Sequence, residues 1–157
     1  MADGGLVEGD VAAGQGFALG PMSDNLGLLL RLAQLHAFKT FFAALGDTGM
    51  APGELSALVL IREHPGIRQG VLARTLDIKR AHMAKMVARL EGEGLIRRSV
   101  PADDRRAMEL TLSDAGAVRV AEVAPRLFAH EARSAENLTA GETRTLKRLL
   151  RKHLGVA

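Results

Sequence analysis

The apolar period of residues 78–112, IKRAHMAKMVARLEGEGLIRRSVPADDRRAMELTL, changes part-way along from helical to alternating, and few folds accommodate such a change. At about 100° of turn per residue, Lys79, Met86, Val87 and Leu90 fall within about 60° of Met83 and make one apolar face. The opposite face carries Ala81, His82, Lys85, Ala88 and Arg89. Small residues there let a groove approach closely, and the donors suit phosphates and base edges. After Gly94 the residues Leu95, Arg97 and Ser99 alternate with Ile96, Arg98 and Val100, and Met108, Leu110 and Leu112 form a second alternating run beyond the turn PADDRR. The spacing predicts a helix and then a two-stranded ribbon whose tip holds Arg105 and Arg106.

A chain of 157 residues is one domain by length, long enough to bury a core. The residues are 47% hydrophobic but 3% aromatic, with no Trp or Tyr, so the core is Leu, Val, Ala and Met, a helical composition. The formal charge of +3 is unevenly spread. Residues 1–22 hold Asp3, Glu8 and Asp10 without Lys or Arg, whereas residues 62–112 hold eleven Lys or Arg against seven Asp or Glu. The positive charge therefore lies with the helix and ribbon, which suits a polyanion. The chain has no Cys, which excludes disulfides, thiolate metal sites and cysteine-based redox sensing. No apolar run approaches the roughly 18 residues of a membrane span and no signal peptide is legible, so a soluble cytoplasmic protein without a membrane partner is expected.

Residues 1–22, with six of the seventeen glycines, read as a flexible acidic arm. Ser23 or Asp24 is expected to cap a helix that runs to about Leu45 before Gly46 stops it, and residues 23–50 form the first helical segment. Its Leu28, Leu32, Leu35, Phe38, Phe42 and Leu45 recur at helical spacing, with Leu29, Leu30 and Phe41 extending the apolar surface round the side. Two apolar faces need two partners, and the second is read as another subunit. Pro52 and Glu54 start the next helix, which EHPG closes because His64 precedes a proline. A short helix from about Arg68 to Leu76, a tight turn and the basic helix then have helix-turn-helix spacing, and the ribbon makes it a winged one, over residues 51–113. In residues 114–157, Ser113 with Asp114 caps a long helix that Pro125 is expected to bend or divide. Thr139 and Glu142 form a capping box ahead of Leu146, Leu149, Leu150 and Leu154. The predicted class is mainly α (α+β).

The motifs LARTLDIKRAHMAKMVARLEGEGLIRR and DDRRAMELTLSDAG resemble those of MarR-type winged helix-turn-helix transcriptional regulators, over roughly residues 24–154. The second, D-x-R-R followed by alternating apolar residues and L-[ST]-x-x-G, is the specific one. The resemblance implies a homodimer joined by its first and last two helices, binding double-stranded DNA with half-sites about one helical turn apart. It implies DNA contacts from Lys79, Arg80, Ala81, His82, Lys85 and Arg89 in the major groove, from Arg97 and Arg98 on the ribbon, and from Arg105 or Arg106 at its tip. The family's reading helix often opens with Ser and Thr, where Ala81 and His82 stand here, so the operator is this chain's own. The resemblance further implies a repressor released by a small aromatic or phenolic effector, with His36 and Arg62 walled by Phe38, Phe41 and Leu58 as the candidate pocket.

One of Asp103 and Asp104 is expected to pair with Arg105 or Arg106, or with Arg97 or Arg98 on the facing strand. No catalytic, cofactor or metal site is expected. The five histidines are scattered, and neither a G-x-S-x-G nor a P-loop pattern occurs. The alternative is a winged helix used as a protein interaction module. That would show exposed Leu or Phe anchors in place of the basic, small-residue face.

Overall fold

The computed structural model describes residues 19–101, 104 and 107–156, apart from the side chains of residues 132 and 133. The described residues divide into two units, one up to residue 34 and one from residue 35. In the first, Gly20–Asp24 form a single 3-10 turn, and helix α1 (Leu26–Leu45) begins. The cap of α1 is Asn25, whose Oδ1 accepts from the Leu28 amide at 2.8 Å. Ser23, expected in that role, instead donates its hydroxyl to the Gly20 carbonyl. Asn25, two residues beyond Ser23 and one beyond Asp24, is the better placed acceptor. The acidic arm falls outside the described residues up to residue 18, and its end is helical where no period was legible.

In the second unit α1 ends at Leu45, and a further 3-10 turn, Gly46–Thr48, leads to Gly49 at φ 68°. There follow α2 (Pro52–Glu63), β1 (Ile67–Arg68), α3 (Gln69–Thr75), α4 (Arg80–Gly92), β2 (Ile96–Ser99), β3 (Glu109–Leu112), α5 (Asp114–Ser134) and α6 (Ala140–Leu154). The sheet has three strands in the order β1-β3-β2, all antiparallel, rather than the two expected. β1 sets Ile67 opposite Leu110 and Arg68 opposite Glu109. Two residues carry no period, so only the pairing identifies this strand.

The main core joins α2, α3, α4 and the sheet through Leu58, Ile61, Leu72, Met83, Leu90 and Leu110, all essentially inaccessible. A fully buried leucine contributes about 1.5–3 kcal/mol relative to an exposed one, so this cluster fixes the lobe. Phe41, Leu45, Leu55 and Val123 make a second cluster that seats α1 and α5 on α2. The helix-turn-helix turn is tight because Asp77 adopts φ 51° and the Ile78 amide returns to the Ala73 carbonyl at 2.8 Å. Asp tolerates that left-handed conformation better than most residues.

Helix α5 is continuous through Pro125, so the proline does not divide it. Ser113 caps it as expected: its hydroxyl donates to the Gly94 carbonyl and accepts from the Gly116 amide. The Thr139–Glu142 capping box also forms. By length and composition Leu26–Thr48 would suffice to cross a bilayer, which corrects the expectation that no such stretch exists. However, Arg31 and Lys39 interrupt it, and Phe41 and Leu45 are packed into protein core. Along the 35–45 half Leu35, Phe38 and Phe42 remain exposed. No residue of α6 is buried, although Leu146, Leu149 and Leu154 lie along it.

Candidate nucleic-acid interface

Helix α4 presents Arg80, Ala81, His82, Ala84, Lys85 and Ala88 to solvent while Met83, Met86, Val87 and Leu90 face the core. Lys79, grouped with the inner face by helical arithmetic, is exposed because it precedes the helix as its cap residue, where the 100° turn no longer applies. No acidic residue occupies the first turn of α4 and no side chain caps it. Its leading amides and Arg80 therefore present partial and full positive charge together.

Arg89 is engaged differently from the expectation. Its guanidinium donates to Glu54 Oε1 and to Glu93 Oε1, each at 2.8 Å, and to the Gly49 carbonyl at 3.3 Å. That commits its donors to α2 and to α4 itself, so it leaves the group of free cations on the outer face. Arg98 likewise bonds Glu91, and this hydrogen bond holds the Glu91 carboxyl below its usual range and raises Arg98. Arg97 is the more available strand cation, 64% exposed, with Asp114 at 3.5 Å. Arg105, Arg106 and Asp103 lie outside the described residues. Asp104 has a partner that the sequence reading missed, Arg68 on β1 at 3.8 Å.

A cleft of about 540 Å³ opens between α3, the start of α4 and the wing base, lined among others by Arg68, Arg74, Arg80, Asp104 and Met108. Arg68 and Arg74 were not singled out from the sequence. The recurrence of arginine at 68, 74 and 80 is the one signal that could have found them. The surface as a whole is a basic, small-residue helix face flanked by arginines from the sheet and α3, which can lie along a phosphate backbone and reach base edges.

A model of the MarR family matches residues 50–108, the span from the end of the α1–α2 connection to the start of β3. A putative transcriptional regulatory protein for the hcr operon of Thauera aromatica is 32% identical over 134 residues, 85% of this chain and 81% of that protein. The chain belongs to the MarR family. Among solved structures it is similar to the transcriptional repressor CouR bound to a 23-mer DNA duplex, with 31% identity, a TM-score of 0.82, and coverage of 89% of this chain and 99% of that one. It shares the fold of the PcaV regulator from Streptomyces coelicolor, solved with its natural ligand, at 20% identity and a TM-score of 0.79 over 88% and 98% of the two chains.

The five residues that resemblance to the MarR family offers for an effector pocket divide into two buried and three exposed side chains. Phe41 and Leu58 are closed into separate core clusters. His36 and Phe38 are exposed, and Arg62 pairs with Glu63 at 2.8 Å on the surface.

Proposed function

We propose that this MarR-family chain is a sequence-specific DNA-binding repressor that acts as a homodimer. The observation that carries the reading is the outer face of α4: Arg80, His82 and Lys85 exposed among Ala81, Ala84 and Ala88, on a helix anchored by Met83, Met86, Val87 and Leu90. Lys79, Arg97, Arg105 and Arg106 complete the proposed contact set, and Arg68 and Arg74 join it from the cleft. The DNA-bound state of CouR, which this chain resembles over 99% of that protein's length, supports the same reading.

Lysine and arginine displace counterions from phosphates, so affinity for duplex DNA should fall steeply with salt, with a log–log slope of about −0.9 per phosphate neutralised. Fluorescence anisotropy from low to physiological salt measures this. Lys85→Ala should reduce the slope by about one unit if it meets a phosphate, or relax base preference at one position if it reads a base edge. Salt-independent affinity would overturn the proposal. Release by a small aromatic or phenolic ligand is part of it: such a ligand acts only through its differential affinity for the DNA-incompetent arrangement. A panel of aromatic acids that neither raises the thermal midpoint nor weakens operator binding sinks that part alone.

A further inference from the structure

Among the described residues, Glu54 is the one buried charged side chain, 6% exposed. Both of its oxygens are in use. Oε2 accepts from the Ala51 amide at 2.9 Å, which closes the start of α2, and Oε1 accepts from Arg89 of α4 at 2.8 Å. Arg89 reaches beyond it to the Gly49 carbonyl at 3.3 Å. The connection that receives α4 in this way is itself gripped from α5: Arg119 donates to the Thr48 carbonyl at 2.8 Å, and Arg126 to the Ala44 carbonyl at 2.8 Å and to both Asp47 oxygens. Three arginines from two helices thus converge on one short segment between α1 and α2.

The apolar seat of α4 leaves a need for such a device. Two of its four buried residues are Met83 and Met86, and unbranched thioether chains adapt to a rotated neighbour rather than resisting it. Side-chain tips lie about 5–6 Å from a helix axis, so a roll of about 10° moves a base-reading atom by about 1 Å. A hydrogen bond that tolerates about 2.7–3.2 Å does not survive that displacement, whereas attraction to a phosphate weakens only slightly. Resting on the DNA-binding reading above, we propose that Glu54 is a positioning residue for sequence discrimination: through Arg89 it fixes the roll of α4 against the α1–α2 connection without touching DNA.

The test compares full-length wild type with Glu54→Gln, which keeps the side-chain shape and removes the charge. Each protein is titrated at one salt concentration against the duplex that wild type selects from a random library, and against a scrambled duplex of equal length. Glu54→Gln is expected to lower the ratio of the two affinities by about tenfold or more, the scale of one good base contact, while binding to the scrambled duplex stays within about twofold. Arg89→Lys, which retains charge but loses the planar fork, should fall between the two. Equal losses on both duplexes, or an unchanged ratio, overturn the proposal. So does a gain on both, which would mean that Glu54 had been withholding Arg89 from phosphates. Urea unfolding is measured alongside, and if Glu54→Gln does not fold, the double variant with Arg89→Gln, which strands no charge, is read in the same way. Failure of wild type to prefer any duplex is a separate result, which removes the DNA-binding reading and this role with it.

Discussion

Gly116 has no room for a side chain. A Cβ built there would stand 1.9 Å from the Leu95 carbonyl oxygen, which also accepts from the Ser113 amide, and 2.8 Å from its carbon. Gly116→Ala must therefore push the start of α5 away from the hairpin, and overpacking of this kind costs about 1–3 kcal/mol. Gly92, at the end of α4, is the opposite case: nothing lies within 4 Å of its added Cβ, and alanine should stabilise by about 0.4–1 kcal/mol through a less flexible unfolded chain. Urea midpoints of the two variants should move in opposite directions, and a shift of the same sign in both would refute the packing argument. The glycine that closes the L-[ST]-x-x-G motif is thus explained by contact, not by turn geometry, which is why the sequence showed the residue but not its reason. Glu54 was legible only as a helix-start signal. Its burial and its hold on Arg89 arise from residues 35 positions apart, a separation that no local period encodes.

At the scale of elements, periodicity located the helices and the hairpin by their apolar stripes, buried or not, and it failed at the strand too short to carry one. β1 is two residues long, and the order of the sheet follows from Ile67 meeting Leu110 rather than from any pattern within β1. α6 has a clear apolar stripe but no buried residue, with Leu146 45% and Leu149 49% exposed. Its neighbour α5 is joined to it by Lys147 and Glu131 at 2.6 Å, a surface ion pair worth little by itself. A stripe of leucine in water is costly, and a second copy of the chain is the occupant that the homodimer reading supplies. Leu149→Glu should leave the monomer fold unchanged, since the site is open there, but raise the dimer dissociation constant by about a hundredfold or more, because an unpaired carboxylate would be desolvated. Sedimentation velocity over a dilution series checks this, and a wild type that is monomeric throughout would refute the dimer.

Across the whole molecule, three carboxylates, two tying elements together and one capping a helix, share one pH response. The guanidinium of Arg126 donates to Asp47 and holds it below its usual 3.8, tying α5 to the α1–α2 connection. Arg98 does the same to Glu91 between α4 and β2, and the backbone amide and hydroxyl of Thr139 lower Glu142 at the start of α6. Each group is a stronger acid folded than unfolded, so the unfolded chain binds more protons in the acid range. The stability that these groups contribute is then fully present above their ordinary values of 3.8 and 4.5, and is lost as pH falls through the depressed folded ones. All three lie at the surface, so added salt should shrink the effect at Asp47 and Glu91, whose partners are cations, more than at Glu142, whose principal partner is a neutral amide. Urea unfolding between about pH 7 and pH 3 should show a fall confined to the acid end. Asp47→Asn and Glu91→Gln should each flatten that fall at low ionic strength and make little difference at high salt, whereas Glu142→Gln should flatten it under both conditions. A profile equally steep in all three variants would mean that acid unfolding is governed elsewhere in the chain.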